Sequence, residues 1–184
     1  RGWRRPGFIA FRGGYHGDTF ATMGVCDPDE GMHAHFAGIV PAQPNLPLPL
    51  DDEAEAALDR LLGEIAPRTS AMLVEPLVQG AGGVRFHDAA VLHRLRRLCD
   101  RHDLLLIFDE IFTGFARTGG ALFACEAAGV IPDIVTVGKA LTGGTLPLAA
   151  TIARTTIYDA FLSGDPAAAL MHGPTYMGNA LACA

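Results

Sequence analysis

Charge is scarce in this sequence and never gathered in one place. Only 18% of the 184 residues are Asp, Glu, Lys or Arg, and the formal net charge is −6. No Lys/Arg run interleaved with aromatics occurs, so nothing marks a face for nucleic acid. The phosphate of a small molecule is a different matter, because a few local donors hold it whatever the net charge. The four cysteines, Cys26, Cys99, Cys125 and Cys183, contain no Cys-x-x-Cys pair. Reduced thiols of a cytoplasmic protein are therefore expected, not a disulfide frame or a zinc ribbon. Apolar runs such as residues 104–108 are far too short to span a bilayer, and neither a signal peptide nor a membrane anchor is expected.

Several catalytic signatures are missing as well. The pairs Gly13-Gly14, Gly82-Gly83, Gly119-Gly120 and Gly143-Gly144 match neither the Gly-x-x-x-x-Gly-Lys-[Ser/Thr] loop nor the dinucleotide fingerprint. No Gly-x-Ser-x-Gly elbow offers a hydrolase nucleophile. His33 and His35 sit in an expected loop without a third ligand, so polar surface is expected of them and no metal site. The first residue is Arg1, not Met, and residues 179–184 read as an opening helix, so a segment of a longer protein is expected.

What is present is a core. Apolar residues make up 49% of the chain, enough for one ordinary domain. Residues 8–11 read as a buried strand leading into Gly13-Gly14. Residues 40–50, with Pro41, Pro44, Pro47 and Pro49, read as an extended connection. Asp51-Asp52 is placed to cap a helix running to Leu62. Residues 71–74 read as a strand, and His87-Asp88 opens the clearest helix. There Val91, Leu92, Leu95, Leu98 and Cys99 share one face, while Arg94, Arg96, Arg97 and Arg101 lie mostly on the others. Residues 104–108, 134–137 and 148–152 complete the strands. Continuous apolar strands separated by helices predict an α/β fold with a mainly parallel sheet.

Ligands of such sheets collect at the carboxyl ends of the strands. Those ends carry Tyr15-His16-Gly17-Asp18-Thr19, Glu75-Pro76, Asp109-Glu110-Ile111 and Gly138-Lys139. Asp109 and Lys139 are about one β-α-β unit apart and are expected to converge on one crevice. A desolvated lysine suits Schiff-base chemistry, and pyridoxal phosphate needs such a lysine plus a carboxylate for its ring nitrogen. On spacing alone, an ordinary ion pair or two helix caps would serve as well.

The residues themselves go further. Phe108-Asp109-Glu110-Ile111-Phe112-Thr113-Gly114-Phe115-Ala116-Arg117-Thr118-Gly119, then Pro132-Asp133-Ile134 and Gly138-Lys139-Ala140-Leu141-Thr142-Gly143-Gly144, resemble the class III (ω-) aminotransferases. Tyr15 to Phe20 with Cys26-Asp27-Pro28, and Met171-His172-Gly173-Pro174-Thr175-Tyr176-Met177-Gly178-Asn179, resemble the branch of that family that works in biotin synthesis. The resemblance runs essentially end to end and implies most of a fold-type-I cofactor domain. The family's phosphate cup would precede Arg1, and its small domain would follow Ala184.

By that resemblance the cofactor is pyridoxal phosphate, attached at Lys139, with Asp109 on its ring nitrogen. Tyr15 would stack on one ring face and border substrate. Ile111, two residues beyond Asp109, is expected on the same side of the strand, against the other ring face. Gly173, Pro174 and Thr175 would reach across a homodimer interface, with Pro174 and Thr175 at the neighbour's cofactor phosphate and Gly173 beside its substrate. Asp18 and Arg117 fit substrate-contacting positions, or equally a loop-stabilising salt bridge or solvated charges. Glu75 matches a family acid whose role stays open. The implied substrates are small molecules, S-adenosylmethionine as amino donor and 8-amino-7-oxononanoate as acceptor. Another class III enzyme of ornithine, diaminobutyrate or ω-amino-acid type is the alternative, and a non-catalytic binding protein on this scaffold a remoter one. Two departures stand out: Phe112 replaces a polar residue of many members, and Ala116 replaces a common glycine, which requires a negative φ there.

Overall fold

The computed structural model describes residues 5–29 and 32–184. In chain order it contains β1 (Gly7–Phe11), α1 (Phe20–Met23), β2 (Asn45–Leu46), α2 (Asp52–Ile65), β3 (Thr69–Val74), β4 (Val78–Gln79) and β5 (Arg85–Phe86). Then follow α3 (Ala89–His102), β6 (Leu105–Asp109), α4 (Ala124–Ala128), β7 (Ile134–Val137), β8 (Ala150–Ala153), α5 (Thr155–Tyr158) and α6 (Ala180–Cys183). Six strands form one sheet in the order β2-β1-β3-β6-β7-β8, parallel except for the antiparallel pair β7·β8.

The long helices form where the pattern places them. Asp51 accepts a hydrogen bond from Ala54 N at the start of α2, and Asp88 accepts one from Ala90 N at the start of α3. All five apolar positions of the α3 stripe are buried, together with Leu58 and Leu62 of α2 and with Ile9, Phe11, Met72, Leu106 and Phe108 of the sheet. Each such side chain contributes about 1.5–3 kcal/mol by leaving water. The polar faces of α2 and α3 meet through Arg94–Asp52, Arg97–Glu55 and Arg101–Asp59, steps of three and four on both helices. Arg96 instead turns to Asp133 at the head of β7, 2.8 Å away.

Three elements differ from the sequence reading. Residues 40–50 are not a plain connection: Asn45 and Leu46 pair in parallel with Ala10 and Phe11 as an edge strand. A small antiparallel hairpin, β4·β5, follows Glu75. Both consist of two-residue strands, too short for a periodic signal. The last strand begins at Ala150 instead of Leu148, and all its residues are exposed. No helix among the described residues is long and apolar enough to cross a membrane.

Candidate active site

The carboxyl ends of the four consecutive parallel strands β1, β3, β6 and β7 open on one cavity of about 170 Å³. Its walls are Tyr15, His16 and Gly17 after β1, Glu75 after β3, Asp109, Ile111 and Phe112 from β6 onward, and Lys139 after β7. Ala81, from the turn of the β4·β5 hairpin, closes one side.

Asp109 is nearly buried and accepts from three groups. Its Oδ2 lies 2.8 Å from His16 Nδ1, while Oδ1 receives Ile111 N at 3.1 Å and the Thr136 hydroxyl at 3.2 Å. A carboxylate only accepts, so His16 Nδ1 carries the proton. The His16 ring is 2% exposed, and its Nε2 has no hydrogen-bond partner among the described residues. His16 N donates to Cys26 Sγ at 3.2 Å. Burial pushes the Cys26 thiol up, which keeps it in the neutral form.

Glu75 ties two walls together. Oε2 accepts from Tyr15 N at 3.1 Å and Oε1 from Gly80 N at 2.9 Å. Burial raises its carboxyl above the usual range, against the opposing pull of these two amides. The hairpin lies so close to the loop after β1 that a side chain on Gly82 would overlap Gly13 O, and one on Gly80 would meet the Phe112 ring at 2.7 Å. Two of the glycine pairs thus serve close backbone packing.

Tyr15 is held by its tip. Its hydroxyl donates to Asp18 Oδ1 at 2.6 Å, and this bond, followed by burial, pushes the phenol up to about 12. The same contact, with His33 second, holds the Asp18 carboxyl below its usual range. His33 Nε2 reaches the same oxygen at 3.0 Å and its ring stacks on Tyr15, so His33 is a buried member of this cluster and not polar surface; His35 is exposed.

Two expectations need correction, the reason for the place of Ile111 and the φ of Ala116. Ile111 does line the cavity beside Asp109, but β6 ends at Asp109 and Ile111 sits in the following turn, held by Asp109 Oδ1; strand alternation is not the reason. Lys139 stands on a short 3-10 turn with φ +44, and its Nζ lies 5.5 Å from the Phe112 ring centre. A non-glycine residue at positive φ is strained, and such strain gathers at functional sites. Ala116 has φ +60, not a negative value; Phe115 before it has φ +61, and Ala116 N donates to Leu122 O at 2.8 Å. Of the two residues expected either at substrate or in a loop-stabilising pair, Asp18 bonds Tyr15 and His33 beside the cavity, and the Arg117 guanidinium lies 5.4 Å from the ring centre of the cavity residue Phe112.

Gly173, Pro174 and Thr175 are exposed and lie outside the cavity of their own chain. The residue missed from the sequence is His16. The rule of strand ends pointed to its segment, but nothing local singled out the histidine.

This set of groups fits pyridoxal phosphate: a buried, fixed carboxylate and a primary amine share one cavity with an aromatic and a branched aliphatic wall. The profile of the family Aminotransferase class-III matches residues 2–184. The chain belongs to the class III aminotransferases. Members of this pyridoxal-phosphate-dependent family resemble it along its whole length. The Mycobacterium leprae adenosylmethionine-8-amino-7-oxononanoate aminotransferase is 52% identical over 191 residues, covering 99% of this chain and 43% of the relative. The Corynebacterium glutamicum enzyme of the same name is 46% identical over 98% of this chain and 44% of its own. This class III aminotransferase chain therefore spans less than half the length of those relatives. Among solved structures, adenosylmethionine-8-amino-7-oxononanoate aminotransferase from Methanocaldococcus jannaschii superposes with a TM-score of 0.85 at 33% identity, over 98% of this chain and 42% of that one. An amine transaminase from an uncultivated Pseudomonas species, in its PLP-bound form, gives 0.84 at 35% identity, over 97% and 43%. The fold is thus that of the pyridoxal-phosphate-dependent transaminases.

Proposed function

We propose that the protein transfers an amino group from S-adenosylmethionine to 8-amino-7-oxononanoate, yielding 7,8-diaminononanoate for biotin synthesis. The observation that carries the chemistry is the convergence of Asp109 and Lys139 on one cavity; likeness to the two named bacterial enzymes carries the substrates. Pyridoxal phosphate, when bound, supplies an electron sink for the bond-breaking at the amine-bearing carbon.

This chain's residues serve that chemistry as follows. Lys139 offers its ε-amine as the covalent anchor and, when free of that bond, as the base that takes the proton from the amine-bearing carbon. Asp109 would hold a proton on the cofactor's ring nitrogen, and its own orientation is set by His16, Ile111 N and Thr136. Tyr15 and Ile111, which line the same cavity, would supply apolar contact to a flat ring bound there. Asp18 and Arg117 belong to the substrate side by resemblance, and Glu75 fixes the backbone that carries Tyr15. We further propose that Gly173, Pro174 and Thr175 act at the site of a partner subunit in a homodimer, and that the 184 residues are part of the large domain. The resemblance of residues 171–179 to the family's interface segment supports that reading. A cytoplasmic location follows from this role.

The full-length holoenzyme tests the assignment. Its visible absorbance should be discharged by S-adenosylmethionine alone and restored by 8-amino-7-oxononanoate. Discharge only by ω-amino acids, diamines or simple amines would transfer the protein to another branch of the class. The amine transaminase of similar fold makes that the second reading.

A further inference from the structure

We propose that His33 is a positioning residue for the substrate-side pair Tyr15 and Asp18, an inference that rests on reading this wall as the one substrate meets. Asp18 is exposed, with 67% of its side chain open to solvent. A carboxylate so placed is ordinarily free to rotate, and a single hydrogen bond to an exposed partner does little to stop it. Here two donors converge on the same oxygen. Oδ1 accepts the Tyr15 hydroxyl at 2.6 Å and His33 Nε2 at 3.0 Å.

His33 differs from Asp18 in being almost closed to solvent, at 8% exposed, and it comes from a separate 3-10 turn, Met32–Phe36. Its ring stacks on that of Tyr15 with centroids 5.9 Å apart and planes 23° from parallel. One buried side chain therefore holds Tyr15 by its face and Asp18 by its oxygen. Because the carboxylate only accepts, Nε2 donates, and Nδ1 is left buried with no partner among the described residues.

The chemical consequence lies in the direction of the lone pairs. With its proton committed to Asp18, the Tyr15 oxygen offers only acceptor capacity to any further partner. Asp18 Oδ2 is an acceptor too. A substrate group rich in N–H donors finds both already oriented, without the entropy of fixing them on binding. Losing the His33 donor should then weaken binding of the amine substrate while leaving the proton transfer at Lys139 untouched.

The test uses the full-length holoenzyme and the amino-donor half-reaction, followed by loss of visible absorbance. His33→Phe keeps a stacked ring and removes the donor; His33→Gln removes the ring but can keep an N–H toward Asp18. His33→Phe should raise the apparent dissociation constant of the donor about tenfold, the loss expected for one hydrogen bond to a charged group. The limiting rate should change by less than about threefold, and His33→Gln should recover most of the affinity. Tyr15→Phe added to His33→Phe should weaken binding no further than the stronger single variant. Unchanged donor affinity in His33→Phe, or equal and additive losses in every variant, overturns the proposal. Should His33→Phe fail to fold, selective 15N-histidine spectra of the wild type and of Asp18→Asn decide. The His33 Nε2–H signal should be protected in the first and shift and exchange faster in the second; an unchanged signal overturns the proposal. A wild type that responds to no amine would sink the reading of function instead, with the spectra still deciding the role of His33.

Discussion

His16 Nδ1 and Asp109 Oδ2 lie 2.8 Å apart although 93 residues separate them in the chain. Both side chains are nearly solvent-free, at 2% and 7% exposed. A charge-assisted bond of this kind is worth about 1.5–3 kcal/mol. His16→Ala should therefore reduce kcat/KM on the order of ten- to a hundredfold, and His16→Asn, whose amide N–H reproduces the Nδ1 donor, should recover part of it. Steady-state rates of the full-length holoenzyme check this. Equal loss in the two variants would show that the ring, not the hydrogen bond, matters.

Glu75→Ala should destabilise the protein by about 2–4 kcal/mol, because Tyr15 N and Gly80 N would both lose their acceptor inside the fold. The sign of the pH effect is fixed by burial. The carboxyl of Glu75 is raised in the folded protein, so its contribution is most favourable below the unfolded value and falls as pH rises through the folded one. Urea midpoints of wild type and Glu75→Ala between pH 5 and 8 should converge as pH increases. Divergence would mean that the two amides outweigh desolvation.

Tyr15 should resist ionisation. Its phenol is pushed up to about 12, first by the bond to Asp18 and then by burial. The phenol form is retained through pH 10–11, and the Tyr15–Asp18 bond is lost only as pH rises through the folded value. The alkaline absorbance titration of the protein minus that of Tyr15→Phe isolates this residue. Asp18→Asn should move the midpoint back toward about 10, and an unmoved midpoint would remove Asp18 as the cause.

Ala116→Gly should stabilise slightly. The left-handed φ of +60 costs a residue with a Cβ about 1–2 kcal/mol, and the greater freedom of glycine in the unfolded chain returns about 0.4–1 kcal/mol of that. A net gain of about 0.5–1 kcal/mol should appear as a higher melting temperature with unchanged activity. A decrease would mean that the alanine methyl makes a compensating contact.

The two long helices, four of the parallel strands and the seats of Asp109 and Lys139 were legible in the amino-acid sequence. The reason is that their signals are local: apolar spacing of three and four along α3, aspartates at the caps, unbroken apolar runs in the buried strands. The family motif is local too, running through Asp109 and again at Lys139. What completes the site is not local. His16 meets Asp109 across 93 residues, Glu75 reaches Tyr15 across 60, and His33 reaches Asp18 across 15. A hydrogen bond between distant positions leaves no periodicity, and each partner alone reads as an ordinary polar residue. The same holds for backbone state. Whether Lys139 and Ala116 take positive φ depends on how the turns after β6 and β7 pack, with the Lys139 amine near the Phe112 ring and Ala116 N bonded to Leu122 O. The sequence by itself determined which chemical groups stand at the strand ends, because strand ends are a property of the pattern. The tertiary structure alone decided how those groups are oriented, because orientation is set by partners that the pattern does not see.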